Sequence, residues 1–111
     1  MQIEVSTDSH IDGREKLTEH VQGTVEAALE RFNARITRVE VHLTDESGNK
    51  AGSEDTKCVM EVRMGGRPPV AVKSQESSVD RAVTAATHKL KRLVESTLGR
   101  ESSLAGHRDH G

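Results

Sequence analysis

A chain of 111 residues with a formal charge of −2 is one domain, long enough for a single core and too short for two. With 32% hydrophobic and 31% charged residues, it suits a thin sheet covered on one face by helices. Phe32 is the single aromatic residue, which leaves almost no room for stacking bases on rings, and the weak net charge confines any phosphate-binding surface to a local basic patch.

Gln2 to Ser6 alternates, with Ile3 and Val5 on one side and Gln2, Glu4 and Ser6 on the other, and predicts a half-buried strand. Asp12 followed by Glu15 predicts a capped helix start. The helix is expected from about Gly13 to Phe32, with Leu17, Val21, Val25, Ala28, Leu29 and Phe32 as its buried stripe and Asn33 as its stop. Gly23 inside it costs roughly 1 kcal/mol relative to alanine, so either a neighbour packs closely there or the helix is locally weak.

Arg38 to Thr44 alternates strictly, with Val39, Val41 and Leu43 inward. Residues 45–56 are Gly, Ser and charge, and read as a long hairpin loop. Lys57 to Met64 alternates again, with Cys58, Met60, Val62 and Met64 inward. Gly65-Gly66-Arg67 predicts a tight turn, and Pro68-Pro69 opens a last strand carrying Val70 and Val72. Ser77 with Asp80 predicts the cap of a second helix running to about Leu98, with Gly99 as its stop. Its buried stripe is Val79, Ala82, Val83, Ala86, Leu90, Leu93, Val94 and Leu98. The expected architecture is α+β in the order β-α-β-β-β-α: a four-stranded mixed sheet with two helices packed on one face, spanning 1–99, followed by a disordered tail over 100–111.

The second helix carries Arg81, His88 and Arg92 at spacings of seven and four, with Lys89 and Lys91 beside them. Across 77–100 there are five basic residues against two acidic ones, a local +3 of the kind a phosphate backbone requires. Composition alone favours the plainer reading of a solvated helix whose basic residues complement the dipole near its C-terminus. The first helix has the opposite character, with Glu15, Glu19, Glu26 and Glu30 on its exposed side.

No catalytic constellation stands out, so no enzyme is expected. Cys58, on an inward strand position, reads as a buried structural thiol, and as a lone cysteine it forms no intrachain disulfide. His107, Asp109 and His110 have part of a metal-site spacing but no partner pair, so no metal is expected. Residues 45–50 lack the terminal glutamate and flanking helices of a calcium loop. His10 reads as a turn residue. The N-terminal run MQIEVSTD has neither a basic nor an apolar signal region, and no apolar run reaches membrane-spanning length, so no membrane association is expected.

The element order, the strand segments RVEVHLTDE and CVMEVR, and the helix segment AVTAATHKLKRLV together resemble the short ribosome hibernation-promoting factors, also called ribosome-associated inhibitors or ribosomal subunit interface proteins. The resemblance spans about residues 2–98. Lys89-Leu90-Lys91-Arg92 looks like the family's K-L-x-R run, and Arg31 looks like a basic position near the end of its first helix. The resemblance implies a cytoplasmic protein that binds small-subunit rRNA in the mRNA and tRNA channel, blocks translation and preserves idle ribosomes under stress. It implies no catalysis, no cofactor and no small-molecule substrate, and a short form that does not itself pair ribosomes. Lys89, Arg92 and Arg31 are its implied rRNA contacts; Arg81, His88 and Lys91 join them by helical geometry. The alternative left open is a protein-interaction or stress-regulatory module that keeps the fold, uses its acidic first helix and does not bind ribosomes.

Overall fold

The computed structural model describes residues 1–8, 13–45 and 56–110, and of 100–110 the backbone alone. Strands β1 (Gln2–Thr7), β2 (Ile36–Asp45), β3 (Thr56–Met64) and β4 (Val70–Glu76) form one sheet in the order β1-β2-β3-β4. β1 pairs parallel with β2; β2, β3 and β4 pair antiparallel. Helix α1 (Arg14–Leu29) makes the first crossover, and helix α2 (Val79–His110) follows β4. The α+β architecture is the one the alternating pattern predicts.

Strict alternation places one residue set on the helix side of every strand. Register aligns Ile3 with Val39, Val41 with Met60, and Met60 with Val72, so these side chains form continuous rows across the sheet. Val21, Val25 and Leu29 of α1 and Ala82, Val83, Ala86, Leu90 and Val94 of α2 complete the buried core. α1 lies over β1, α2 lies over β3 and β4, and the helices touch each other. His20 meets Asp80 at 3.4 Å and Arg31 meets Glu95 at 3.9 Å. The two contacts follow the same order along both segments, so the segments run parallel.

The opposite sheet face is a charge lattice. Arg38 pairs with Glu4 and Glu40, and Arg63 pairs with Glu40 and Glu61. Glu4, Glu40 and Glu61 lie opposite one another on three strands. The two arginines, on neighbouring register positions, relieve what would otherwise be like-charge repulsion. A register irregularity between Ile36 and Arg38 coincides with Thr37, whose hydroxyl donates to the Arg63 carbonyl at 3.0 Å.

Local details depart from expectation at several points. α1 ends at Leu29 and tightens into a 3-10 segment, Glu30–Arg35, so Asn33 lies inside that segment rather than stopping the helix. Tightening at a C-terminus satisfies carbonyls that an abrupt end would leave open. The expected Asp12 cap falls outside the described residues; Gly13 takes the cap position, with no side-chain hydrogen bond. For α2 the cap is Ser78, not Ser77: the Arg81 backbone N–H donates to Ser78 Oγ at 3.2 Å, and the Ala82 N–H donates to the Ser78 carbonyl at 3.0 Å. α2 also runs through Gly99 to His110, although the sequence predicts its end near Leu98. A glycine weakens a helix without obliging it to stop, and no proline follows. Gly66 holds φ +75 at the third position of the turn closed by the Arg67 N–H on the Met64 carbonyl, where side chains other than glycine are strained.

Gly23 settles the other glycine question. A Cβ there would meet nothing within 4 Å, so no neighbour requires the glycine and the helix simply carries its entropic cost. Gly23→Ala is expected to stabilise the fold by about 0.5–1 kcal/mol, read as a higher urea midpoint at unchanged slope. A destabilised variant would mean that α1 is bent or packed differently at this point.

Candidate functional site

Two hydrogen bonds dock the first part of α2 on the edge strand. Ser74 Oγ, buried, donates to the Ala82 carbonyl at 2.6 Å, and Lys89 Nζ donates to the Lys73 carbonyl at 2.8 Å. They fix which side of the helix faces outward. Arg81, His88 and Arg92 emerge exposed on that side, with Lys89, also exposed, turned toward β4. These four line one open groove together with Thr84, Ala85, Glu76 and Asp80.

The remaining two predicted residues sit elsewhere. Lys91 is half-buried and does not line the groove. Arg31 lies beyond the end of α1, over the Phe32 ring at 4.8 Å and 3.9 Å from Glu95. Both members of that pair are substantially exposed, so it is worth at most about 1 kcal/mol and exchanges readily for another anion.

The charges differ in how they are satisfied. The sheet-face arginines Arg38 and Arg63 are each held by carboxylates. Among the described residues, no carboxylate pairs with Arg81, Lys89, Lys91 or Arg92. Helix-dipole complementation does not explain them either, because that effect fades within the last turn and Arg92 precedes even Leu98 by more than one turn. These cations are therefore available to an external anion. The sequence pattern singles out neither Lys73 nor Lys57 as a site residue. The structure brings both beside Lys89 in a second, smaller concavity that also includes Ser74 and Gln75. That neighbourhood depends on strand register, which the sequence does not spell out.

No other described feature competes as a chemical site. Cys58 is fully buried, and desolvation pushes its thiol from 9.0 up to about 12. It is neutral and unreactive at neutral pH. In the native protein at about pH 8 it is expected to resist a disulfide reagent until the chain unfolds; immediate stoichiometric labelling would contradict its placement. Between 9.0 and about 12 the unfolded chain releases this proton and the folded chain does not, so stability falls as pH rises through that window. Among the described residues, no three His, Cys, Asp or Glu side chains converge as a metal would require. No helix there is long and apolar enough to cross a membrane.

Residues 3–101 match the family described as sigma 54 modulation protein / S30EA ribosomal protein. The chain belongs to this family. Membership places it among ribosome-associated, non-enzymatic proteins. No curated protein matches it. Among solved structures, a ribosomal subunit interface protein from Coxiella burnetii superposes with a TM-score of 0.63 at 13% identity, covering 89% of this chain and 99% of that one. The N-terminal domain of Thermus thermophilus Protein Y superposes with a TM-score of 0.61 at 19% identity, covering 87% and 99%. Identities this low establish the shared fold; the residues that act must be argued from this chain.

Proposed function

We propose that the protein binds the small ribosomal subunit through rRNA in the mRNA and tRNA channel, blocks translation there and preserves idle ribosomes under stress. The observation that carries this reading is the groove on α2, where Arg81, His88, Lys89 and Arg92 converge and, among the described residues, no carboxylate pairs with the arginines or the lysine. Membership of an S30EA family gives the groove a ribosomal context. Phosphate and sugar contacts need only cations and hydrogen-bond donors, so the near absence of aromatic rings is no obstacle. Lys91 and Arg31 flank the main contact, Arg31 exchanging Glu95 for a phosphate. The protein acts in the cytoplasm, without cofactor or small-molecule substrate.

A second reading has its own observation: Glu15, Glu19, Glu26 and Glu30 are all exposed on the α1 side, a surface that repels phosphate and suits a basic protein partner. A cell-free translation reaction separates the two. Protein added at the ribosome concentration is expected to suppress peptide synthesis and to compete with mRNA and initiator tRNA for isolated small subunits. Full synthesis at saturating protein would favour the acidic-surface reading.

A further inference from the structure

We infer that the nucleic-acid-binding surface does not end on α2 but turns over the β4 edge, where Lys57, Lys73 and Lys89 form a further site for an RNA backbone phosphate. The inference rests on the ribosome-binding reading above and extends it to residues on the sheet.

Lys57 stands opposite Gln75 and Lys73 opposite Val59, so the two lysines occupy diagonal positions on the outward face of β3 and β4. Diagonal cross-strand neighbours lie within reach of a common ligand for long side chains. Lys89 comes to the same corner from the helix side, its ammonium group anchored on the Lys73 carbonyl at 2.8 Å. The three lysines line one concavity with Ser74 and Gln75. Among the described residues, no carboxylate pairs with any of the three. That sets this corner apart from the rest of the outward sheet face, where Arg38 and Arg63 are neutralised by Glu4, Glu40 and Glu61. Three mutually repelling ammonium groups at one corner favour a shared anion between them. Lys89 also lines the α2 groove, so the two concavities are joined through one side chain. A backbone following Arg92, His88 and Lys89 would bring its next phosphates to Lys73 and Lys57.

The test is binding of the full chain to isolated small subunits across a salt series, for wild type, Lys57→Gln/Lys73→Gln, and Arg14→Gln/Lys16→Gln as a control. The control removes the same charge from exposed positions at the start of α1. Each lost phosphate contact lowers the magnitude of the log K against log salt slope by roughly one, and weakens binding near 0.1 M salt by roughly eightfold. The Lys57/Lys73 variant is expected to lose one to two such units with an unchanged melting curve, and the control none. Lys73→Gln alone, at an exposed position, shows the same direction if the double variant is destabilised. A slope unchanged in the lysine variants, while the wild type binds, overturns this site and leaves the α2 reading standing. An equal loss in the control overturns it too, since net charge rather than this corner would be responsible. A wild type that binds no subunit at low salt overturns both.

Discussion

The double charge reversal Lys89→Glu/Arg92→Glu is expected to weaken binding to small ribosomal subunits by more than roughly 100-fold near 0.1 M salt, with the fold retained. Both side chains are exposed, line the same groove, and lack carboxylate partners among the described residues. Loss of two phosphate contacts accounts for roughly 60-fold, and two new negative charges add repulsion. The salt slope falls by about two units in parallel. The structural cost is small by comparison: the glutamate cannot donate to the Lys73 carbonyl as Lys89 does, which removes one exposed hydrogen bond worth about 1 kcal/mol. Circular dichroism and urea unfolding therefore show a folded variant. Unchanged affinity at unchanged fold would remove α2 from the interface.

The neighbouring substitution Leu90→Ala is expected to do the reverse. Leu90 is fully buried between α2 and the sheet, one residue from Lys89. Truncating a buried leucine costs about 2–5 kcal/mol, part transfer energy and part residual cavity. Against a total stability of about 5–15 kcal/mol, this is a large fraction. The melting temperature of a domain this size drops by roughly 10–25 °C. Molecules still folded keep the cationic groove, so affinity measured well below the transition changes little. A loss below about 1 kcal/mol would mean that α2 is not packed as described. The contrast between adjacent residues separates binding from stability within one helical turn.

The core was legible in the sequence because periodicity is a local signal. Val39, Val41 and Leu43 alternate with charged neighbours, and Ala82, Val83, Ala86 and Leu90 recur at helical spacing, so each element declares its inward face without reference to the others. The polar side of α2 was legible for the same reason, since Arg81, His88 and Arg92 share a face by spacing alone. What the sequence hid depends on contacts between distant segments. Glu95 is 64 positions from Arg31, and nothing local announces that they meet. Lys57, Lys73 and Lys89 come from three elements and converge only once β3 and β4 are in register. Ser77 and Ser78 are chemically equivalent as caps; the choice falls to the residue whose carbonyl receives the Ala82 N–H as the chain leaves β4. Gly23 could have marked a close approach or a weakness, and only the empty space beside it decides.

The acidic side of α1 gives the molecule a polarity that its overall charge of −2 conceals. One helix offers carboxylates to solvent, and the other offers Arg81, Lys89 and Arg92, which pair with no carboxylate among the described residues. A ligand rich in phosphate is therefore expected to be steered toward α2 and away from α1, with the steering weakening as salt screens it. Binding through α2 should accordingly be both oriented and strongly salt-dependent.

Co-sedimentation of the purified protein with bacterial small ribosomal subunits across a salt series tests this most directly. Near-stoichiometric binding at low salt, falling steeply as salt rises and lost in Lys89→Glu/Arg92→Glu, is the result predicted. A folded protein that remains in the supernatant even at low salt would contradict ribosome binding through α2.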